Sequence, residues 1–339
     1  MRKWTLGILG IMVMGLVYFG ATWGRVSGAA PRQANTPTPT AAGADTPGHI
    51  AFVLNDHLYL IEATESATPI DISAAWDENT PGADAWVDIS PDGAWLLIST
   101  ERFDSECTGW ACMVLTDPIL EHIEVIRSAG AVWHPEDGAI ASGGNLIIFT
   151  DGGGPHERDL WAITRDGEAW SAPQLLTADS PYAFNLFPAV ADDGSTVVFT
   201  CTHDAYAIEQ SAVCEVEIET VAFQTVLMPE QGPGGTAKNA TIHPDYAPDG
   251  SIVFEADWQG EQIWRLAPEA TTPELVNPDF SNDNSPCVLP DGRIVSLWLG
   301  RADNTDGLHE LKVMNADGTG DFMLVIDQDI VDGGLGCGA

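Results

Sequence analysis

The amino-acid sequence predicts an all-β fold, a single six-bladed β-propeller of four-stranded blades, and three observations predict it. A pair of short apolar runs joined by a polar turn recurs six times, with a period of 48 to 53 residues. Asp-Gly turns stand at matched offsets ahead of five of the six pairs. Only five inner strands precede the six pairs, so the sixth has to come from the far end of the chain. A self-similar period of this length, built from short strands, marks a propeller array.

The first runs are Ile50–Val53, Leu96–Ile98, Leu146–Phe149, Thr196–Phe199, Ile252–Phe254 and Ile294–Leu297. Their partners are Leu58–Ile61, Trp110–Val114, Leu160–Ile163, Val213–Val216, Ile263–Leu266 and Leu311–Met314. Taking Tyr59, Ala111, Trp161, Cys214, Trp264 and Lys312 as equivalent points gives spacings of 52, 50, 53, 50 and 48. Apolar runs this short, bounded by turn residues, read as buried strands. Trp161 and Trp264, at matched points, are expected to pack between blades. Trp258 and Trp110, in or beside hairpin turns, are the better candidates for exposure.

The turns ahead of the pairs are Ser90-Pro91-Asp92-Gly93, His134-Pro135-Glu136-Asp137-Gly138, Asp192-Asp193-Gly194, Ala247-Pro248-Asp249-Gly250 and Leu289-Pro290-Asp291-Gly292. Proline presets φ, aspartate caps the turn through its side chain, and glycine takes the positive φ. The inner strands leading into them are Trp86–Ile89, Ala131–His134, Pro188–Val190, Pro244–Ala247 and Pro286–Leu289. The first pair has none, whereas Asp329–Cys337 follows the last outer strand, Phe322–Ile326. That C-terminal segment is therefore expected to supply the inner strand of the first blade, which protects the edges where the ring meets itself.

Residues 1–28 read as a signal peptide or signal-anchor helix. Arg2 and Lys3 precede 21 uncharged residues, Trp4 to Gly24, and small residues at Ser27, Gly28 and Ala29 suit a signal peptidase. Residues 29–48, rich in Ala, Pro and Thr, read as an extended linker, and residues 49–339 as the propeller. The expected location is extracytoplasmic, periplasmic or at the cell surface, either membrane-anchored or secreted. Membrane contact is expected through the N-terminal segment only.

All but one of the 50 acidic residues lie from His49 onward, against nine of the 13 basic ones. Such a surface repels nucleic acid and anionic lipid. A solvated exterior explains it, as does a docking face for a basic partner or for cations.

Six cysteines in an exported chain imply three disulfides, and six allow fifteen pairings. The repeat alignment selects Cys107–Cys112 and Cys201–Cys214, each pair flanking the same turn in its repeat. It leaves Cys287–Cys337, which would tie down the C-terminal segment.

The stretches WVDISPDGAWLLIST, YAPDGSIVFEADWQGEQIWRLAPEA and CVLPDGRIVSLWLG resemble the WD40-like PD40 repeat of the TolB propeller. They are also similar to propeller domains of prolyl-oligopeptidase-type peptidases. The resemblance spans nearly all of residues 49–339 and implies blade construction. It transfers no catalytic residue. It does not extend to the N-terminal α/β domain of the translocation protein, so a role in the Tol-Pal system is not expected.

No Gly-x-Ser-x-Gly elbow, His-Glu-x-x-His, phosphate-binding glycine loop or Cys-x-x-Cys occurs. No cofactor is expected. Ca²⁺ is considered only for the acid-rich turns 302–307 and 315–321, which do not match an EF-hand. Inner-strand polar residues converge at the mouth of a propeller channel, which makes Asp88, His134, His243 and Asp245 the candidate binding residues. The leading expectation is a monomeric, non-catalytic module that presents its channel mouth to a protein, peptide or glycan. The alternative is a propeller hydrolase, glycosidase or lactonase-like, whose catalytic acids meet only in three dimensions. A purely structural envelope protein is a third reading.

Overall fold

Blades form because each strand pair is apolar on both faces, so a single sheet cannot satisfy it and neighbouring sheets must cover both sides. In the second blade, for example, every residue of Leu96–Thr100 and of Cys112–Thr116 is buried. The computed structural model describes residues 47–76, 80–103, 112–128, 131–132, 137–204, 210–233, 241–258, 260–277, 282–300 and 306–339. The segments predicted as signal or anchor helix and linker, 1–46, lie outside these. Among the described residues no helix is long and apolar enough to cross a membrane.

Among the described residues six antiparallel sheets form the blades, beside one two-stranded ribbon. From the channel outward, blade 1 runs Ile330–Gly338, His49–Leu54, His57–Glu62 and Ile70–Asp71. Blade 2 runs Asp84–Ile89, Leu96–Thr100, Cys112–Thr116 and Ile123–Val125. Blade 3 runs Gly138–Ile140, Leu146–Asp151 and Asp159–Asp166, its outer place shared by Ala169–Trp170 and Gln174–Leu175. Blade 4 runs Phe184–Val190, Thr196–Thr202, Ala212–Glu217 and Ala222–Leu227. Blade 5 runs Thr241–Tyr246, Ile252–Asp257, Glu261–Leu266 and Glu274–Leu275. Blade 6 runs Asp283–Val288, Ile294–Trp298, Glu310–Met314 and Phe322–Val325.

The predicted turns take the backbone their residues demand: Gly93, Gly194, Gly250 and Gly292 all have positive φ, between 67° and 87°. The matched points also pair as a repeat should, Phe52 with Tyr59, Phe149 with Trp161, Phe199 with Cys214, Phe254 with Trp264 and Ser296 with Lys312. In blade 2 the expectation needs correcting. The strand is Cys112–Thr116, and the residue opposite Ile98 is Val114; Ala111 lies outside the described residues.

Blade 3 brings a larger correction. Its inner strand is Gly138–Ile140, not Ala131–His134, and its turn is built on Ser142–Gly144, where Gly143 and Gly144 supply the positive φ. Ala131–Val132 instead pairs with Arg127–Ser128 in a separate two-stranded ribbon. The earlier Pro-Glu-Asp-Gly stretch mimics a blade turn in composition. The true turn has neither Pro nor Asp and depends on two adjacent glycines.

Trp264 is buried between sheets as expected, 2% exposed. Trp258, expected at the surface, is buried too. Its indole N–H donates to the Pro229 carbonyl at 3.0 Å, and its ring meets Trp264 edge-on at 4.9 Å. The segment around Pro229 and Gly232, which follows blade 4, covers the ring, and local sequence does not reveal that contact. Trp110 lies outside the described residues.

Ring closure runs through the C-terminal strand. Ile330–Gly338 pairs antiparallel with His49–Leu54, from Leu54↔Ile330 to His49↔Gly338. One cluster then joins blades 6 and 1, with Ile50, Phe52, Leu289, Val295, Leu297, Leu311, Val313 and Ile330 at its centre. The alternating glycines of the strand have a steric cause. A Cβ on Gly336 would sit 2.6 Å from the Ile89 nitrogen and 2.8 Å from the Asp88 Cα, and one on Gly338 2.5 Å from the Ser90 carbonyl oxygen. The closing strand lies directly against the backbone of blade 2.

Disulfides join Cys201 to Cys214 within blade 4 and Cys287 to Cys337 between blade 6 and the closing strand, with Cα separations of 6.0 and 5.7 Å. Cys112 is disulfide-bonded; Cys107 lies outside the described residues.

Gly336→Ala tests the closure. Backbone, unlike a side-chain tip, cannot yield, so a loss of about 1–3 kcal/mol is expected by overpacking, read as a lowered thermal midpoint. Unchanged melting would mean that the strand does not pack against blade 2 as described.

Candidate functional site at the central channel

Five inner strands place an equivalent residue on the channel. In each, a turn is closed by a backbone N–H, from Ser90, Ala141, Ala191, Ala247 and Leu289. The residues two places earlier are Asp88, Ala139, Ala189, Asp245 and Cys287, and all of them line one cavity on the axis. Blade 1 adds Leu335 and Cys337 from the closing strand. The cavity measures about 110 Å³, well below the 300–1,000 Å³ of drug-sized pockets. It suits one side chain or a few waters.

Two of the predicted residues, Asp88 and Asp245, stand in blades 2 and 5, three blades apart and therefore facing across the ring. Each carboxylate also reaches to the next blade. Asp88 Oδ2 accepts the Ile140 N–H at 2.9 Å, and Asp245 Oδ2 accepts the Val288 N–H at 2.7 Å. Desolvation deep in the channel pushes the Asp88 carboxyl up to about 8, against the Ile140 hydrogen bond that lowers it, with the Asp245 charge adding to the rise. Desolvation likewise pushes Asp245 up to about 7, opposed by the Val288 and Tyr246 N–H groups and helped by Asp192. Asp192, at the rim, is also raised by desolvation and by neighbouring Asp193.

His243 lines the same cavity. Its ring packs on Phe187 at 4.2 Å between centroids. Its Nδ1 lies 3.6 Å from Glu255 Oε2 and 3.4 Å from the Ser285 hydroxyl. The remaining predicted residue, His134, lies outside the described residues, and the strand expected to carry it is not the inner strand of blade 3. Ala139 holds the equivalent place there.

Several lining residues were not anticipated: Asp137, Phe187, Asp192 and Ser285. Phe187, His243 and Ser285 sit in β-bulges of blades 4, 5 and 6 and carry positive φ of 52°, 48° and 46°. Each precedes a proline, and each lies seven residues before its turn glycine. Positive φ is costly for such residues, and strain of this kind gathers at functional sites. Acids from the preceding blade hold two of the bulges: Asp137 Oδ2 accepts the Phe187 N–H at 3.0 Å and Glu255 Oε2 the Ser285 N–H at 3.1 Å. The recurring X-Pro at one offset was the available sequence signal.

Among the described residues no three His, Cys, Asp or Glu side chains converge as metal ligands would. In the acid-rich turn at 315–321, Asp317 Oδ1 accepts the Thr319 N–H and hydroxyl at 3.1 and 2.6 Å.

The fold is that of known six-bladed propellers. TolB from Acinetobacter baumannii superposes with a TM-score of 0.63 at 14% identity, over 86% of this chain and 67% of that one. A chain of a nidogen/laminin complex superposes at 0.57 and 9% identity, over 86% and 98%. A puromycin hydrolase superposes at 0.51 and 14%, over 84% of this chain but only 48% of the hydrolase. At these identities the likeness is one of fold. No protein-family model matches the sequence, and no curated protein matches it.

Channel acids make stability depend on pH in a set direction. Both folded-state values lie above the ordinary 3.8, so the folded chain holds protons that the unfolded chain releases, and stability falls as pH rises through about 7 and 8. Asp88→Asn keeps an acceptor for Ile140 and removes one titration. Its urea midpoint is expected to drop less than wild type between pH 5.5 and 8.5. A parallel drop in both proteins would show that Asp88 does not titrate in this range.

Proposed function

We propose that this chain is an exported, membrane-tethered, non-catalytic binding module whose channel mouth takes a basic segment of a protein or peptide partner. One observation carries the reading. Asp88, Asp137, Asp192 and Asp245 line the channel, and no Lys or Arg stands among the described lining residues. A cationic side chain entering the cavity meets carboxylates in a partly desolvated space, where charge interactions are stronger than in water. The small cavity volume favours a single inserted side chain, with specificity completed on the surrounding turns.

Two supports bear on place and partner. The disulfides Cys201–Cys214 and Cys287–Cys337 belong to oxidising compartments, in keeping with the N-terminal segment read as a signal or anchor. The fold is shared with a chain from a nidogen/laminin complex, an instance of a propeller in a protein assembly.

Cross-linking of the tethered protein in native envelopes is the direct experiment. A specific partner with a Lys- or Arg-bearing segment is expected, and its capture should be lost in the Asp88→Asn/Asp245→Asn double variant while circular dichroism is unchanged. Binding is also expected to tighten from pH 6 to 8.5, because a cation selects the ionised carboxyls and displaces their protons, by up to about tenfold per pH unit for each proton released. Affinity that is flat with pH, and unaltered in the double variant, would place the binding face elsewhere.

The facing pair Asp88 and Asp245 supports a second reading, a glycosidase or lactonase-like hydrolase. Two carboxyls that exchange protons near neutral pH can serve as acid and base. Turnover of glycoside, lactone or ester substrates that disappears in both Asp88→Asn and Asp245→Asn would favour this reading. Absence of turnover alongside partner capture favours the binding module.

A further inference from the structure

We infer that the Cys287–Cys337 disulfide is a redox latch on the ring. Cleaved by a small dithiol that reaches it along the channel, it releases the closing strand Ile330–Gly338 and opens the seam between blades 6 and 1, while the blades away from that seam stay folded. The inference rests on where the bond lies and on the glycine-rich, C-terminal character of the strand it ties down.

Both cysteines line the central cavity. Cys287 is 6% exposed and Cys337 is half-buried. The bond therefore forms part of the channel wall, unlike Cys201–Cys214, whose two residues are fully buried inside blade 4. It joins the inner strand of blade 6 to the closing strand of blade 1, across the seam where the ring meets itself.

The strand is held by its backbone ladder to His49–Leu54 and has few side chains to add to it. Four of its nine residues are glycine; glycine adds no side-chain burial and loses more backbone freedom on ordering than any other residue. Those glycines cannot be exchanged for better strand formers, because the backbone of blade 2 occupies the space at Gly336 and Gly338. Ile330 and Leu335 are its main apolar contributions to the blade 6–blade 1 cluster. Its ends are tied by polar contacts. Asp329 Oδ1 accepts the His309 N–H and ring Nδ1 at 3.0 and 2.9 Å, and Ile330 N–H donates to the His309 carbonyl at 3.1 Å. At the other end the His49 ring meets the Ala339 carbonyl oxygen at 2.9 Å. A glycine-rich terminal strand is the kind of element that opens locally. The disulfide closes a 50-residue separation, which suppresses that opening.

The chemistry balances as thiol–disulfide exchange. A thiolate of the dithiol attacks Sγ of Cys337, the more exposed of the two residues, and Cys287 leaves as a thiolate and takes up a proton. The second thiol of the reductant then displaces Cys337, which is protonated in turn. Two cysteine thiols result, and the dithiol becomes its own cyclic disulfide. Release of the strand removes Leu335 and Cys337 from the channel wall.

Hydrogen exchange on the full chain tests this, comparing wild type, wild type treated with dithiothreitol under native conditions, Cys337→Ser and Cys201→Ser. Treatment is expected to produce alkylatable thiols at Cys287 and Cys337 before those at Cys201 and Cys214. In treated wild type and in Cys337→Ser, amides of Ile330–Gly338 and of its partner His49–Leu54 should exchange about a hundredfold to a thousandfold faster, with the strands of blade 4 unchanged. Cys201→Ser should leave the closing strand protected. The inference is overturned if the bond resists dithiothreitol until the whole protein unfolds. It is equally overturned if closing-strand exchange rises less than about threefold, or if blade 4 loosens together with the closing strand. Should Cys337→Ser fail to fold, the treated wild type alone decides between these outcomes.

Discussion

Closure of the ring is the constraint on which the rest of this molecule depends. Six blades can bury both faces of every sheet only if the first and last meet, and the meeting is made by one strand, Ile330–Gly338, laid on His49–Leu54. Without it, Ile50 and Phe52 of blade 1 and Leu289, Val295 and Leu297 of blade 6 would face water instead of each other. The glycines of that strand follow from the same demand, since the blade 2 backbone passes within touching distance.

Polar staples then hold five of the six seams. Ala339 N–H donates to the Pro91 carbonyl between blades 1 and 2. Asp88 and Asp137 reach from blade 2 to 3 and from blade 3 to 4. The Tyr246 hydroxyl meets Thr196 and Glu215 between blades 5 and 4, and Asp245 and Glu255 reach from blade 5 to 6. Most acids along the channel therefore have two roles. Asp137 satisfies a bulge N–H and Asp88 and Asp245 satisfy N–H groups on the neighbouring inner strands, and once ionised they place negative charge in the channel. The candidate site is thus made of the same carboxyls that join the blades.

Cations are spent elsewhere. Arg102 is buried against Asp84, with N···O at 3.0 Å, and Lys312 is buried against Asp283. Asp84 and Asp283 occupy the same place, four residues before Asp88 and Cys287 on their inner strands. Two of the nine basic residues beyond His49 thus sit inside blades, where removing one partner would strand a buried charge. The acidic exterior is left with still fewer compensating charges, and the channel with none among its described lining residues.

How much was legible beforehand differed by kind of information. Repeat number, the Asp-Gly turns and the pairings Cys201–Cys214 and Cys287–Cys337 follow from local pattern, because short buried strands and tight turns restrict residue choice at each position. Closure by the C-terminal segment was legible by counting strands. Blade 3 misled because Pro-Glu-Asp-Gly and Ser-Gly-Gly both satisfy turn geometry, and only packing against blades 2 and 4 selects Gly138–Ile140. Trp258 misled because a segment some 30 residues earlier, around Pro229 and Gly232, covers it. The sequence by itself determined the architecture and named Asp88, His243 and Asp245. Tertiary structure alone decided that these three share one cavity with Asp137, Phe187 and Ser285, since proximity across a ring depends on strands some 50 residues apart. It also decided that the carboxyls hold their protons to near pH 7 and 8, because desolvation is a property of the enclosing channel and not of any segment of the chain.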